Sequence, residues 1–281
     1  MTATPADAAL RLLSPAQLAF LERLPKAELH AHLNGSIPLP VLQELAQEYL
    51  SAPSITPATG EHDAAPLAAE VLSGLQHLQA GCNLNTIDDF FVLFPAIYAL
   101  TSTRATLGRA TRGVLSHFLD GTSGGAVAYL ELRTTPRETL GVMTRREYLE
   151  AVLNEVEARA PDEAALIVSL DRRMDRVVAQ EVLALAVQLR REGRRVVGVD
   201  LCGDPRVCHT RHSLHLLLSL SQKAGDMGDF VELFRSARAE GLGVTLHIAE
   251  VNEMFNSLCL GRTPRAIVLD SRQGKTLQRR Q

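Results

Sequence analysis

The stretch LPKAELHAHLNGSI, residues 24–37, joins a short alternating segment to a turn. Ala27 to His32 has the alternation typical of a strand, and Asn34, Gly35 and Ser36 are typical turn residues. Side chains two apart on a strand point to the same face, so His30 and His32 should converge on one spot. Such an imidazole pair suits Zn²⁺, although two neighbouring structural histidines would give the same pattern.

Segments with strand and helix patterns alternate along the rest of the chain. Further strands are predicted at residues 126–133, Ala165 to Leu170, Val196 to Leu201 and Gly243 to His247. Helices are predicted at residues 40–50, Arg145 to Ala158, Asp175 to Glu192 and Phe230 to Glu240. This alternation predicts right-handed βαβ units and a parallel α/β sheet. Only about five of the eight strands of a TIM-type (β/α)8 barrel are recognisable.

The length of 281 residues fits one such barrel domain, predicted to span residues 1–250. Within it, residues 51–66 form a proline-rich segment that we interpret as an exposed loop. Residues 206–228 interrupt the pattern with histidines and a leucine-rich run, and we interpret them as an insertion. Residues 251–281 form a divergent tail that ends in a basic stretch.

Composition excludes several classes of protein. Lys and Arg total 29 against 32 Asp and Glu, so a nucleic-acid partner or an acidic membrane surface is not expected. The longest strongly apolar run, Leu214 to Leu220, is far too short to span a membrane. Four scattered cysteines without a C-x-x-C pair argue against a disulfide framework. We therefore expect a cytoplasmic, monomeric protein with a small-molecule ligand.

A second histidine motif lies at the end of the last predicted strand. His247 closes that strand, and Glu250 follows in the sequence HIAE. In α/β barrels, the carboxyl ends of different strands build one site, so His247 can meet His30 and His32. Glu250 would then lie beside the metal as a proton carrier, although an acid near a helix N-terminus would look the same.

Two further strand ends carry polar residues. The turn DLCGDP, residues 200–205, contains Gly203, which lets the backbone approach a ligand closely. The turn LRTTPR, residues 132–137, contains hydroxyl groups and Arg137, which suit a phosphate. Either turn, taken alone, would also fit an ordinary loop without a binding role.

Taken together and in this order, four segments resemble the adenosine/AMP deaminase family, and most of all its branch that acts on N6-substituted AMP. They are residues 24–37, 130–137 (LELRTTPR), 199–205 (VDLCGDP) and 245–250 (TLHIAE). The similarity covers roughly residues 20–205 and 229–250. It implies a zinc-bearing (β/α)8 barrel of the metal-dependent hydrolase class.

The resemblance also implies site residues. One Zn²⁺ per chain would be held by His30, His32 and His247, and Glu250 would donate a proton to purine N1. Gly203 would contact the purine ring, and His32 would also contact the substrate. Positions around the ribose and phosphate are Asn34, Thr134, Thr135, Pro136, Arg137 and Asp171. Tyr98 stands where the branch usually has a histidine.

Asn34 bears on the choice between nucleoside and nucleotide. Adenosine-specific relatives typically carry Asp at this place, and a carboxylate would repel a 5′-phosphate, whereas a neutral amide tolerates one. With Arg137, this favours a purine nucleotide, most of all N6-methyl-AMP, which would be converted to IMP and methylamine.

The family pattern stops at Glu250. The family's later strands, with a histidine that positions water and a last zinc-ligand Asp, have no counterpart in residues 251–281. Three hypotheses therefore remain open: an active zinc deaminase, a catalytically inactive truncated form of it, and another metal-dependent hydrolase of the same barrel class.

Overall fold

The computed structural model describes residues 9–51, 64–81, 89–90, 92–121, 127–203 and 227–247. The strands are β1 (Lys26–His32), β2 (Val127–Thr134), β3 (Ala164–Asp171), β4 (Val196–Cys202) and β5 (Gly243–Leu246). The helices are α1 (Pro15–Arg23), α2 (Leu39–Ser51), α3 (Ala64–Ala80), α4 (Phe94–Leu100), α5 (Arg104–Leu119), α6 (Arg145–Glu157), α7 (Arg176–Arg191) and α8 (Met227–Ala239). A 3₁₀ turn, Leu33–Gly35, follows β1.

The five strands form one parallel sheet in the order β1-β2-β3-β4-β5. Helices α6, α7 and α8 each connect or flank consecutive strands, as expected of βαβ units. In β3, every residue but Asp171 is buried, because the apolar run AALIVSL is covered on both faces. The predicted α/β barrel class is confirmed, and the described residues form a half-barrel of five strands.

The predicted helices that connect the later strands match the structure to within a few residues. Helices α5, α6 and α7 begin at polar residues that satisfy free backbone N–H groups. Thr103 and Thr144 form capping boxes with Thr106 and Glu147, and Asp175 accepts a hydrogen bond from the backbone N–H of Val178. These caps explain why the beginnings of α5, α6 and α7 are sharply defined.

Four helices, α1, α3, α4 and α5, are not predicted by the hydrophobic periodicity. For α3 and α5, one reason is that glycines lie in their packed faces, where a periodicity argument counts them as breaks. A Cβ at Gly74 would lie 2.6 Å from Cβ of Ala96, and one at Gly113 would lie 3.0 Å from Val41. These glycines allow α3 to approach α4, and α5 to approach α2, more closely than larger residues would.

Several predicted segments lie partly or wholly outside the described residues. Of the loop predicted at 51–66, Ser51 ends α2 and residues 64–66 begin α3, whereas 52–63 are outside. The interpreted insertion is outside except for its last two residues, which begin α8, and the tail 251–281 is outside entirely. Within the described ranges, no helix is both long enough and apolar enough to cross a membrane.

The carboxyl ends of the strands lie side by side along one edge of the sheet. His32 is in register with Arg133, and Asp171 is in register with Cys202. Leu201 is in register with Leu246, the residue before His247. The register therefore places the predicted site residues on one rim, as in other parallel α/β sheets.

Candidate active site

Three imidazole rings meet at this rim. The Nε2 atom of His247 lies 2.7 Å from Nε2 of His30 and 2.9 Å from Nε2 of His32. The Nε2 atoms of His30 and His32 are 3.3 Å apart. The two ends of the described sheet, β1 and β5, are thus brought together by one cluster whose ligand atoms all point inward.

His247 is held in place from behind by Asp200 of β4. Its Nδ1 atom lies 3.1 Å from Oδ1 of Asp200 and 3.1 Å from the carbonyl oxygen of Leu201. Since both neighbours are acceptors, the ring proton belongs on Nδ1, and the Nε2 lone pair is directed at the centre of the cluster. Ligand histidines in metal sites are oriented in this way.

Asp200 is itself part of a buried network. Its side chain is fully buried and pairs with Nη1 of Arg133 at 3.4 Å, with only 5% of the Arg133 side chain exposed. Oδ1 also accepts a hydrogen bond from Thr245 at 2.8 Å, and Oδ2 accepts one from Ser169 at 3.3 Å. Burial alone raises the pKa of Asp200, but hydrogen bonds from His247 and Thr245 and the charge of Arg133 bring it below its ordinary value.

The electrostatics keep His32 neutral at physiological pH. Burial and the neighbouring His247 lower the pKa of His32 from 6.5 to about 4. A neutral imidazole is the form that binds a metal.

The donor set fits a zinc ion. Zn–N bonds of about 2.0–2.1 Å in a tetrahedral site separate the nitrogens by about 3.3 Å. The His30–His32 separation of 3.3 Å already has this value. The shortest separation would have to open by about 0.6 Å, which small side-chain movements supply. Three imidazole ligands are also typical of a catalytic zinc site.

A second cluster is centred on Arg137, which follows β2. Its guanidinium carbon lies 3.9 Å from the centre of the Tyr98 ring, and Nη2 donates a hydrogen bond to Oγ1 of Thr101 at 2.8 Å. Nη1 is buried and has no partner. A buried cationic donor without a partner is costly, so this atom is well suited to receive an anionic ligand.

Asn34 presents a matching acceptor. It lies in the 3₁₀ turn that follows His32, and its Oδ1 atom is buried without a partner. A ligand with a hydroxyl donor would satisfy it.

Asp171 and Gly203 come together at the ends of β3 and β4. Gly203 has φ +101°, and a Cβ there would lie 2.6 Å from Oδ1 of Asp171. The carboxylate of Asp171 receives the backbone N–H and the guanidinium of Arg173. Only glycine therefore fits at position 203, because both its backbone angle and the adjacent carboxylate exclude a side chain.

The remaining predicted residues of the LRTTPR turn are mostly engaged within the protein. The hydroxyl groups of Thr134 and Tyr148 are 2.8 Å apart in the core, and Oγ1 of Thr135 lies 3.6 Å from Sγ of Cys202. Pro136 is buried. Glu250 lies outside the described residues, so its assigned role stays a prediction.

The sequence analysis did not identify the buried residues that orient the histidine cluster. Asp200 and Arg133 were noted only as parts of their motifs, although a charged residue inside an apolar strand is a signal of a buried pair. Arg133 Nη2 also donates to the carbonyl oxygen of Leu29, and Arg172 Nη2 donates to that of His247. These contacts cross between strands, so the linear sequence does not identify the partners.

Comparisons with known proteins show similarity in sequence and in overall fold. N6-Methyl-AMP deaminase-L of Xenopus laevis is 30% identical over 88% of this chain and 62% of its own length. N6-Methyl-AMP deaminase of Homo sapiens is 31% identical over 84% of this chain and 58% of its own length. The crystal structure of Arabidopsis ADAL complexed with IMP matches with a TM-score of 0.59 and 28% identity, over 85% of this chain and 62% of that one.

No family model matches the chain. The chain spans only 58–62% of the length of the two relatives named above. The half-barrel, its histidine cluster and the similarity over most of the sequence nevertheless agree, and the resemblance predicted from the motifs is confirmed. This chain is homologous to the adenosine deaminase-like proteins of the adenosine/AMP deaminase family.

Proposed function

We propose that the chain carries the site of a zinc-dependent hydrolytic deaminase of 6-aminopurine nucleotides. The preferred substrate is N6-methyl-AMP, which reacts with water to give IMP and methylamine. The observation that carries the proposal is the convergence of His30, His32 and His247 on one point at the sheet edge. The names of the two relatives, and the IMP in the Arabidopsis structure, support the purine-nucleotide class.

The roles of the three histidines and of Asp200 follow from their placement, and those of Gly203 and Glu250 from the resemblance of their motifs. His30, His32 and His247 would hold one zinc ion, and Asp200 fixes the tautomer and orientation of His247. When bound, the ion would supply a water molecule of lowered pKa that can act as a nucleophile at neutral pH. Gly203 leaves room for the purine ring. Glu250 donates a proton to purine N1, which makes C6 more electrophilic.

Recognition of the 5′-phosphate rests on Asn34 and Arg137. Arg137 is fixed by its contact with Tyr98 and its bond to Thr101, so Nη1 is preorganised as a donor. Asn34 is neutral, so unlike a carboxylate it does not repel a phosphate. The site therefore favours the nucleotide over the nucleoside.

The first test is of the chemistry. The purified chain is incubated with N6-methyl-AMP, and zinc content and IMP are both measured. We expect stoichiometric zinc and IMP formation, and we expect Glu250→Gln to retain zinc while turnover falls by several orders of magnitude. Zinc without IMP would identify a catalytically inactive form. Zinc together with hydrolysis of an unrelated substrate would identify a different hydrolase.

The second test is of specificity. Arg137→Ala is expected to raise KM for the nucleotide by about tenfold or more and to change KM for the nucleoside little, since a charge-assisted contact contributes about 1.5–3 kcal/mol. Arg112→Ala, which removes an exposed pair with Glu155, is the matched control. If Arg137→Ala raised KM equally for the nucleotide and the nucleoside, Arg137 would not be a phosphate-binding residue.

A further inference from the structure

We propose that Arg173 is a specificity-determining residue of this site: it neutralises the carboxylate of Asp171 and thereby admits the phosphate that Arg137 binds. This inference rests on the proposed nucleotide site. It concerns a residue that the sequence motifs did not select.

The contact between the two side chains is a complete bidentate pair. Nε of Arg173 donates to Oδ1 of Asp171 at 2.9 Å, and Nη2 donates to Oδ2 at 2.6 Å. The backbone N–H of Arg173 adds a third bond to Oδ1 at 2.8 Å. Both carboxylate oxygens thus face a cation, and a single negative charge is matched by a single positive one.

The pair lies beside the proposed ligand. Asp171 is next to Gly203, where a Cβ would lie 2.6 Å from Oδ1. Tyr98 connects the pair to Arg137, because its ring packs on the guanidinium of Arg137 and its phenol is within electrostatic reach of both Asp171 and Arg173. The side chain of Asp171 is 13% exposed and that of Arg173 is 59% exposed, so the carboxylate is largely enclosed while the arginine that pairs with it reaches the solvent.

The charges explain why this cover is needed. With Arg137 alone, the positive charge available to a phosphate dianion would be cancelled by Asp171, and a carboxylate beside a dianion costs binding free energy. With Arg173 bound to Asp171, the net charge of these three groups is +1. A nucleoside carries no such charge, so Arg173 should affect nucleotides selectively.

The alternative is that Arg173 only stabilises the end of β3. The experiment separates these readings by the ratio of two dissociation constants, Kd for inosine divided by Kd for IMP, measured by calorimetry on the whole chain. The variants are Arg173→Gln and the double variant Asp171→Asn with Arg173→Gln. Arg112→Gln is the matched control, because Arg112 makes the same side-on pair with Glu155 and is 64% exposed.

We expect Arg173→Gln to lower this ratio by about tenfold, since one charge-assisted interaction is at stake. The double variant should recover most of the ratio, because it removes the charge that Arg173 neutralised, even if Asp171→Asn weakens both ligands. Arg112→Gln should leave the ratio unchanged. The effect of Arg173→Gln should also shrink at high salt.

Three results would overturn the inference. An unchanged ratio in Arg173→Gln, with IMP still bound, would agree with the proposed nucleotide site but show that Arg173 does not determine its specificity. A lowered ratio that the double variant fails to recover would show that Arg173 contacts the phosphate itself rather than neutralising Asp171. If the unaltered chain binds neither IMP nor inosine, the proposed nucleotide site is refuted and the inference fails with it.

Discussion

Replacement of Asp200 by Asn tests whether the buried carboxylate orients the metal ligand. The variant keeps the shape of the side chain but removes the charge opposite Arg133 and can place an NH₂ group against Nδ1 of His247. At 3.4 Å, one charge pair is worth about 5 kcal/mol with an effective dielectric constant of about 20. Breaking one partner of a buried pair costs about 3–5 kcal/mol.

We therefore expect Asp200→Asn to lower the free energy of unfolding by about 3–5 kcal/mol, measured by denaturant titration. Zinc affinity should fall by about 10–100-fold, because removing the partner of a ligand histidine has effects of this size. It is measured at pH 7 by competition with a chromophoric chelator, at a temperature where the variant is folded.

Two further variants separate orientation from stability. Ser169→Ala removes only the bond to Oδ2 and should cost about 1 kcal/mol without changing zinc affinity. Thr245→Val removes the bond to Oδ1 at 2.8 Å and keeps the carboxylate charged, so a small loss of zinc affinity is expected. If Asp200→Asn is less stable yet binds zinc as tightly as the unaltered chain, the carboxylate supports the fold and does not orient His247.

Three other predictions follow from the same geometry. Gly203→Ala should cost about 1–3 kcal/mol of stability and weaken the binding of IMP and of inosine to the same extent, because φ is +101° and a Cβ would lie 2.6 Å from Asp171 Oδ1. If the variant bound both ligands as tightly as the unaltered chain, this prediction would be wrong. Removing zinc with a chelator should lower Tm, since free zinc at about 100 times Kd stabilises the fold by about 2.7 kcal/mol, and an unchanged Tm would exclude a bound metal. The hydrogen bond from Arg159 lowers the pKa of Asp120 from 3.8 to about 2, so this exposed pair stabilises the fold above pH 4 and loses its effect as the pH falls towards 2. Asp120→Asn should therefore cost at most about 1 kcal/mol at pH 7 and progressively less below pH 4 in denaturant titrations, and a difference independent of pH would refute the assignment.

The local sequence pattern was sufficient to predict the parallel sheet and the convergence of the three histidines. A strand buried on both faces must be apolar, and β3 follows this rule from Ala164 to Leu170. His30 and His32 share a face because of strand periodicity alone, and the barrel rule places strand ends together. Helices such as α5 were missed because their packing depends on glycines that meet a neighbouring helix, which periodicity counts as interruptions.

The partners of these residues, in contrast, were decided by the tertiary structure. Asp200, 47 residues before His247, holds its Nδ1 atom only because β4 and β5 are paired in parallel register. Tyr98 reaches Arg137 from a helix before β2, and only packing shows that the ring covers the guanidinium and leaves Nη1 buried. The sequence by itself determined which groups could bind a metal and a phosphate, because residue type and strand period carry that information. Which charges neutralise and orient those groups depends on distances between chain-remote atoms, which only the folded structure defines.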